Sequence, residues 1–447
     1  MLILILGRLL VSELAFAVPV DYSHPDKGRI RLFARSVERF EKLADHSIKQ
    51  AKQKPWFVYL QGGPGSGCAP PQSVPWTDFV LDKGYQILFL DQRGTGLSST
   101  ITAKTLANKG SPTMQAAYLR HFRADNIVRD CEAVRENLTA DFPEEKKKWT
   151  VMGQSFGGFC AVNYLSKSPE GLQEVFTCGG LPPLVKQPDV VYEHTFRTVR
   201  QRNMAYYEKY PEDIQSVKDL VRHIDEKQRR KEKIALPSGG SFSVLRLRQI
   251  GLLFGFHGGL DMVHDMIYRL INDLRYFGEF TRPTLAAFEA TMGFDVAPLY
   301  ALLHEPCYTQ GAASNWSADR VMQSLPDFMN DSVGQEKILF TGEMVFRGMF
   351  EDYDELRSLK ETADILAKTD DWPDLYDEAQ LAKNEVPVYS ATFYDDMFVD
   401  FELAQDTASK INNCKQFITN VMYHNAVRAK SDELLKQLFA LRDDVID

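Results

Sequence analysis

The hydrophobic and polar positions of this chain change their rhythm twice. In the first third, short apolar runs such as 56–60 and 85–90 alternate with amphipathic segments, and each of these two runs ends in a glycine-rich turn. Continuous apolar runs of about five or six residues are typical of strands buried on both faces of a sheet. The alternation of polar and apolar residues over 29–34 predicts a half-exposed strand beside them.

The same pattern continues as far as residue 178. It predicts one long amphipathic helix over 114–138, a buried strand at 149–152, a helix at 156–166 and a strand at 175–178. Strands that alternate with helices in this way form a mostly parallel sheet with helices on both faces.

The middle of the chain lacks this alternation. From about 184 to 372 the apolar spacing is helical, and the segment is rich in aromatic and charged residues. Buried-strand character returns at 386–392 and again at 416–422. A helical insertion between two strands of one sheet is the simplest arrangement that fits this order.

The length of 447 residues agrees with such an insertion, because it suggests two or three domains or one large domain that carries an insert. We predict an α/β core formed by 1–183 and 376–447, interrupted by a large helical cap domain over 184–375.

Composition narrows the function only a little. Hydrophobic residues make up 44% and charged residues 25%, so the chain can form a globular core. No apolar stretch reaches the roughly 18–20 residues that span a bilayer, and the net charge of −9 disfavours a phosphate backbone as a partner. We therefore expect neither a membrane nor a nucleic-acid partner.

The segment 351–378 carries 11 acidic and three basic residues, which is typical of solvated helix faces.

The cysteines and the first residues bear on location. Six scattered cysteines without a C-x-x-C pair favour a reducing, cytoplasmic compartment, although an even number leaves a disulfide open. The apolar start of the chain has some features of a signal peptide, but Arg8 and Glu13 interrupt it. We expect an N-terminal β-strand there.

The segment Gly153-Gln-Ser155-Phe-Gly157 matches G-x-S-x-G, the pattern of a nucleophile elbow. A buried strand precedes it and a small-residue helix follows it, as that motif requires. The sharp turn leaves room only for glycine two residues before and after the serine, and it places the hydroxyl at the positive end of the helix. The sequence therefore predicts Ser155 as a nucleophile.

A serine nucleophile needs a base, and the base needs an orienting carboxylate. In this kind of fold the three residues follow the order Ser, acid, His. Of the nine histidines, only His424 lies beyond the strand predicted at 386–392, so it is the candidate base. Asp395 and Asp396 follow that strand directly and are both candidates for the acid, with Asp400 a weaker third.

The oxyanion hole is predicted from two backbone amides. One belongs to Phe156, the residue after the nucleophile, and the other to Gly63 in the glycine-rich loop after the strand at 56–60. The same loop is not a phosphate loop, because Cys68-Ala69 stand where Lys and Ser or Thr are needed. No metal-ligand spacing is present, so we expect no metal and no cofactor.

Together these motifs resemble the proline iminopeptidase (prolyl aminopeptidase) family. The segments LQGGPGSG, DQRGTGLSS and GQSFGGF carry the likeness, and HEPCYTQGAASNW, ILFTGEMVF and YDDMFV resemble its larger-subunit branch. The likeness extends from about Val18 to His424. It implies an α/β-hydrolase core with a helical cap, and a serine peptidase that removes proline from peptides with a free N-terminal proline, through an acyl-enzyme.

The resemblance also assigns roles to residues. It places the nucleophile on Ser155 and the base on His424, and the family's spacing of about 28 residues between acid and histidine favours Asp396. Neither Asp395 nor Asp396 keeps the proline that follows the family's acid by four positions, and Gln61 stands where the family usually has histidine.

Cap glutamates bind the free α-amino group of the substrate in this family. Glu305 matches best, and Glu289 and Glu343 are both open as the second such residue. Three aromatic residues are candidates for the apolar pocket around the proline ring, although each is more often plain core: Phe156, Tyr308 and Trp316.

Two other functions stay open at this point. The first is a serine hydrolase of different specificity, such as an esterase or lactonase, because pocket residues decide the substrate. The second is a non-catalytic binding protein, which the presence of elbow, acid and histidine argues against.

Overall fold

A nine-stranded sheet runs through the centre of the molecule. The computed structural model describes residues 2–40, 53–291, 293–329 and 336–443, and within them the strand order is β1-β2-β3-β5-β4-β6-β7-β8-β9. The strands are β1 Leu2–Leu6, β2 Leu9–Pro19, β3 Arg29–Arg39, β4 Trp56–Leu60, β5 Gln86–Asp91, β6 Trp149–Gln154, β7 Leu172–Cys178, β8 Val388–Phe393 and β9 Cys414–Thr419.

The sheet is antiparallel at one edge and parallel elsewhere. The pairs β1–β2, β2–β3 and β3–β5 are antiparallel. From β5 onward, each neighbouring pair as far as β9 is parallel. This arrangement confirms the predicted α/β class with a mostly parallel sheet. The carboxyl ends of β4, β6, β8 and β9 consequently meet at one edge of the sheet.

Helices lie between the strands of the first part and follow β8 and β9 in the last part. They are α1 Thr77–Asp82, α2 Ala103–Ala107, α3 Pro112–Leu119, α4 Ala124–Leu138 and α5 Phe156–Lys167, then α18 Phe401–Lys410, α19 Ala426–Ala429 and α20 Ser431–Asp443. Short 3-10 helices occur at Pro71–Ser73, Arg120–Phe122, Glu144–Lys146 and Pro169–Gly171.

Between β7 and β8 the described residues contribute helices and no strand of the sheet. These helices are α6 Asp189–Lys209, α7 Asp213–Arg229, α8 Val244–Arg248, α9 Gly259–Phe277, α10 Arg282–Ala290, α11 Pro298–Leu303, α12 Ser317–Gln323, α13 Pro326–Met329, α14 Met349–Asp352, α15 Asp354–Arg357, α16 Lys360–Lys368 and α17 Glu378–Leu381, with 3-10 helices at Gln249–Gly255, Gly293–Asp295 and Glu305–Cys307. We call α6–α16 the helical segment; the predicted domain limits at 184 and 375 stay a prediction.

The helical segment has a hydrophobic core that also includes residues of the first part of the chain, such as Phe122. Buried residues such as Tyr206, Phe254 and Phe340 form a cluster that is distinct from the two clusters on the faces of the sheet. Phe398, from the loop after β8, packs into the cluster of the helical segment. The loops at the carboxyl ends of the strands are therefore in contact with both parts of the molecule. Among the described residues, no helix combines the length and hydropathy needed to cross a membrane.

The N-terminal strand that the sequence predicts is a hairpin of two strands. β1 and β2 pair antiparallel with Leu6 opposite Leu9, and the turn between them contains Gly7 at φ 63°. Positive φ costs glycine little, which explains where the turn falls.

The single helix predicted over 114–138 is wrong. The chain leaves the helical conformation at Arg123, where φ is −84° and ψ is 175°, so that α3 and α4 are separate helices. The buried Arg123 side chain donates hydrogen bonds to the carbonyls of Thr309 and Pro373 at 3.0 and 3.2 Å, and it lies over the Trp372 ring. These long-range contacts override the local helical periodicity.

The last strand is also displaced from its prediction. The apolar run at 416–422 predicts a strand, whereas β9 spans Cys414–Thr419. The residues from 420 onward instead turn away from the sheet and lead to His424.

Candidate active site

Ser155 lies in the sharp turn between β6 and α5. Its φ of 53° and ψ of −126° are a strained conformation for a residue with a side chain. A Cβ on Gly153 would meet the Gly157 carbonyl oxygen at 2.2 Å, and a Cβ on Gly157 would meet the Leu60 carbonyl oxygen at 2.0 Å. The glycines of the motif are thus required by close backbone contacts, and the serine follows a strand that the sheet holds rigidly.

Asp396 and His424 form a buried pair at the ends of β8 and β9. Asp396 Oδ2 lies 2.8 Å from His424 Nδ1. The other carboxylate oxygen accepts hydrogen bonds from the backbone N–H groups of Phe398 and Val399 at 2.9 and 3.1 Å. These two backbone donors fix the direction of the carboxylate, so that Nδ1 carries the proton and Nε2 is free to act as a base.

The other two aspartates of this loop do not contact His424. Asp395 is half-buried beside the pair. Asp400 caps the N-terminus of α18, where its Oδ1 accepts the N–H groups of Glu402 and Leu403. Of the candidates for the acid, the structure brings only Asp396 to the histidine.

The helical segment holds the loop that carries His424. The His424 N–H donates to the Gly255 carbonyl at 3.2 Å, and the Asn425 side-chain oxygen accepts the His257 N–H at 3.0 Å. The Phe398 ring packs on the imidazole at a centroid distance of 4.5 Å. A Cβ on Gly255 would meet the Phe398 ring at 2.0 Å, so glycine is required there.

The charges around His424 favour its protonated form. Burial alone would lower the pKa of the imidazole, but the Asp396 carboxylate, and then that of Glu343, raise it above its ordinary value. The Arg428 guanidinium opposes this rise. The field at His424 therefore stabilises the imidazolium that a general base becomes.

The glycine-rich loop after β4 lies against Ser155. A Cβ on Gly62 would come within 2.9 Å of Ser155 Cβ, and Gly63 adopts a φ of 140° that suits glycine. Gly62, Gly63 and Ser155 line the same cavity, and Phe156 is the first residue of α5. This geometry suits a pair of amides that faces an oxygen bound at Ser155.

A cavity of about 400 Å³ opens over Ser155 and His424. Its apolar wall comes from the helical segment and the β8 loop, with Leu252, Phe256 and Phe398. Sequence reasoning named Phe156, Tyr308 and Trp316 for this wall instead. The structure places those three side chains in aromatic packing: Phe156 and Tyr308 against Phe159, and Trp316 against Phe350.

Glu343 is the one carboxylate among the described residues that line this cavity. Its Oε2 accepts the Tyr300 hydroxyl at 2.6 Å, and its Oε1 lies 3.6 Å from His304 Nε2. The Tyr192 hydroxyl lies 3.1 Å from His304 Nδ1, on the far side of the ring. Burial alone would raise the pKa of Glu343, but His304, His424 and Tyr300 hold it below its ordinary value. The side chain is therefore an anion that faces the cavity.

The other two glutamates do not reach the cavity. Glu305 is buried and does not line it, and its Oε1 accepts the Ala318 N–H at 3.0 Å; burial raises the pKa of this carboxyl. Glu289 accepts hydrogen bonds from the Ser238 N–H and hydroxyl. The structure thus does not bring the expected substrate-binding residue Glu305 to Ser155, and it brings Glu343 instead.

Two residues near the site, His304 and Gly179, were not predicted from the sequence. His304 stands next to Glu305 in the sequence, but its Nε2 lies 3.6 Å from Oε1 of a different glutamate, Glu343. Gly179 lies directly behind the pair, since a Cβ there would be 3.2 Å from both Asp396 Oδ2 and His424 Nδ1. An apolar strand that ends in two glycines was the available signal for Gly179.

One group of side chains in the described residues has the composition of a metal site. The ligand atoms of His194, Asp400 and Glu402 lie within 4.8 Å of one another. However, Arg197 donates to Glu402 at 2.7 Å and lies 3.1 Å from His194 Nδ1. A guanidinium thus already balances this charge, and Asp400 serves as a helix cap.

Comparison with known proteins agrees with this fold. Residues 55–229 match the family model described as alpha/beta hydrolase fold. Proline iminopeptidase aneH of Aspergillus aculeatus is 47% identical over 99% of this chain and 95% of its own length. The proline iminopeptidase of Aeromonas sobria is 39% identical over 96% of both chains.

Among solved structures, the proline iminopeptidase of Mycobacterium smegmatis is 14% identical, with 96% of this chain and 100% of that chain covered. Its TM-score of 0.41 is too low to bear on function. The two sequence relatives are far closer, and they extend over nearly the entire chain. On their evidence, this chain is an enzyme that belongs to the proline iminopeptidase family of the α/β-hydrolase superfamily.

Proposed function

We propose that this enzyme is a serine aminopeptidase that releases N-terminal proline from peptides with a free α-amino group. The observation that carries the proposal is the position of Glu343, an anion in the cavity that also contains Ser155 and His424. The family relationship supports the same substrate class.

In the proposed reaction, Ser155 Oγ attacks the carbonyl carbon of the first peptide bond. His424 Nε2 takes the hydroxyl proton as the Oγ–C bond forms, and Asp396 stabilises the resulting imidazolium. The carbonyl oxygen becomes negative and accepts hydrogen bonds from the amides of Phe156 and Gly63. The C–N bond then breaks, and His424 delivers the proton to the leaving amine.

The acyl-enzyme is then hydrolysed by the same groups. Water loses a proton to His424 Nε2 as its oxygen attacks the ester carbon, and the proton returns to Ser155 Oγ when the ester bond breaks. The products are free proline and the shortened peptide. No metal or redox group takes part in these steps.

Glu343 would select substrates by the charge of their N-terminus. A buried ammonium group needs a partner of opposite charge, because desolvation of an unpaired cation is costly. The Glu343 carboxylate supplies that partner, with Tyr300 and His304 to hold it in place. A peptide with a blocked N-terminus lacks the cation and leaves the carboxylate unpaired. Exopeptidase activity follows from this single pairing.

The apolar wall of the cavity suits a proline ring. Leu252, Phe256 and Phe398 present hydrocarbon and aromatic surface beside Ser155. The pyrrolidine ring is compact and apolar, so its transfer to this surface is favourable.

All six cysteines are unpaired, which supports a reducing, cytoplasmic compartment as part of the proposal.

The decisive experiment compares three substrates: a free prolyl arylamide, its N-blocked analogue and a simple aryl ester. We expect the wild-type enzyme to hydrolyse the free prolyl compound at least about 100-fold better than the blocked one, since the blocked one forfeits a buried charge pair. In Ser155→Ala, kcat should fall by about 10⁴-fold or more.

Each contrary result has a distinct meaning. Equal turnover of free and blocked compounds would remove the role of Glu343. A preference for the ester with little prolyl activity would make the enzyme a hydrolase of another specificity. Activity that survives in Ser155→Ala would overturn the assignment of the nucleophile.

A further inference from the structure

The cavity contains a cation that the proposed reaction does not use. Arg428 lines it together with Ser155 and His424, and it is the one arginine or lysine among the described lining residues. We propose that Arg428 binds the C-terminal carboxylate of the substrate, so that the enzyme favours prolyl dipeptides. This inference rests on the proposed function and names the substrate class of the same site.

The backbone after β9 fixes Arg428 relative to the catalytic base. The Ala426 N–H donates to the Tyr423 carbonyl at 2.8 Å, and the Ala429 N–H donates to the Asn425 carbonyl at 3.0 Å. These turns lead directly from His424 into the short helix α19, which contains Arg428. Both residues line the cavity.

Arg428 has no carboxylate partner among the described residues. Its side chain is exposed, in contrast to Arg93, whose guanidinium forms a buried ion pair with Asp130 at 2.6 Å. Burial raises the pKa of Tyr59, and the charge of Arg428 opposes that rise. Its planar fork of donors is therefore near the cavity and without a counter-charge, which is the arrangement that a carboxylate ligand needs.

The direction of the substrate places its carboxyl end beside Arg428. Glu343 holds the α-amine at the part of the cavity formed by the helical segment, next to Tyr300. His424 must stand beside the leaving nitrogen, because it delivers the proton there. The chain therefore runs from Glu343 past Ser155 toward the loop that carries His424 and Arg428.

The length of a dipeptide fits this direction. In a prolyl dipeptide, the carboxylate carbon is only two bonds beyond the leaving nitrogen, about 2.5 Å away. In a tripeptide it moves outward by about one Cα spacing, roughly 3.8 Å. An arginine that lines the same cavity as Ser155 and His424 thus suits the shorter substrate, and the pair Glu343–Arg428 complements both charges of a zwitterionic dipeptide.

The test compares Pro-Ala as the free acid with Pro-Ala amide, which has the same size and amine but no carboxylate. For the wild-type enzyme we expect kcat/KM to be about tenfold higher for the acid, mainly through KM, as for an exposed charge-assisted bidentate contact. In Arg428→Gln the acid-to-amide ratio should fall to within about twofold of unity. The ratio cancels any change in the pKa of His424, because both substrates use the same base.

Lys430→Gln is the matched control, since it removes an equal charge two residues later from an exposed side chain that does not line the cavity. It should keep the wild-type ratio. Arg428→Lys should give an intermediate ratio, because it retains the charge but not the fork. Pro-Ala-Ala as the free acid should fall severalfold below Pro-Ala.

A measurement on the wild-type enzyme keeps the test independent of the variants. The preference for the acid should shrink as ionic strength is raised from about 0.01 to about 1 M, because the Debye length falls from roughly 30 to 3 Å. A wild-type ratio near unity, or a tenfold ratio that survives in Arg428→Gln, would overturn this inference. Absence of turnover of a prolyl arylamide, which has no carboxylate, would instead overturn the proposed function.

Discussion

The sheet and the helical segment hold their functional groups in different ways. At the sheet, the backbone fixes the side chains: a strained turn fixes Ser155, and the N–H groups of Phe398 and Val399 fix Asp396. In the helical segment, Glu343 lies against two side chains of one helix end, Tyr300 in α11 and His304 directly after it. The groups proposed to react are therefore fixed by the backbone, while the carboxylate proposed to select the substrate depends on tertiary packing.

The two regions nevertheless meet at His424. Its side chain pairs with Asp396 of the sheet, while its N–H binds the Gly255 carbonyl of the helical segment. Glu343 and Asp396 both raise the pKa of this imidazole. A substitution in either region should consequently change the pKa of His424. The sizes of the losses in kcat and kcat/KM distinguish effects on the chemical step from effects on substrate selection.

The largest effect is expected at the sheet. Asp396→Asn should lower kcat by about 10³–10⁴-fold, because the amide would hold the wrong tautomer of His424. The measurement is steady-state hydrolysis of a prolyl arylamide. Asp395→Asn is the neighbouring control and should stay within about twofold of wild type, since Asp395 does not contact the imidazole. A severe loss in Asp395→Asn with normal activity in Asp396→Asn would reverse the assignment.

The next effect tests the carboxylate of the helical segment. Glu343→Gln should lower kcat/KM for a free prolyl substrate by about 100-fold, because the substrate ammonium would lose a buried partner. Glu305→Gln keeps an oxygen that accepts the Ala318 N–H, and it should change kcat/KM by about threefold or less. If Glu305→Gln is the more damaging change, the amine binds at Glu305.

A smaller effect is expected where the two regions meet. Gly255→Ala places a methyl group 2.0 Å from the Phe398 ring, which packs on His424. Displacement of that ring should lower kcat by about tenfold and destabilise the fold by about 1–3 kcal/mol. Thermal unfolding and kcat can be compared in the same preparations. The double variant Gly255→Ala/Phe398→Leu has a smaller side chain in place of the ring. It should recover part of the lost stability, and no recovery would exclude this steric cause.

The smallest effect concerns pH. Neutral His424 is the active form, so kcat/KM rises as pH increases through the raised pKa of His424. Glu343 is one cause of that rise in pKa, so Glu343→Gln should move the acidic limb of the profile to lower pH. Arg428 opposes the rise, so Arg428→Gln should move the limb to higher pH. Profiles of kcat/KM, each scaled to its own plateau, measure both shifts. Limbs that coincide in all three proteins would show that these charges do not act on the base.

Sequence patterns predicted the sheet better than the helices. Apolar runs located β4 at 56–60 to the residue, because a strand buried on both faces leaves a continuous hydrophobic signal. The helix predicted over 114–138 is interrupted at Arg123, whose partners Thr309 and Pro373 are 186 and 250 residues away in the sequence. No local periodicity can report contacts of that range.

The residues of the candidate site also differ in how well the sequence predicts them. Ser155 and its glycines are readable from five consecutive residues, because the steric demands of the elbow are local. The order of strands limited the base to His424. The choice between Asp395 and Asp396 rested on spacing alone, and the structure distinguishes them through the 2.8 Å contact with the imidazole.

The α/β class, the sharp turn at Ser155 and the position of His424 after the last strand could be predicted from local patterns, because backbone sterics and the period of buried strands act over a few residues. Which glutamate shares a cavity with Ser155 depends on long-range packing. Glu305 lies in the motif that resembles the family, yet its carboxylate turns to the Ala318 N–H, while Glu343 joins Tyr300 and His304 at the cavity. The direction of a buried carboxylate depends on which donors surround it, and packing between segments distant in the sequence brings those donors together.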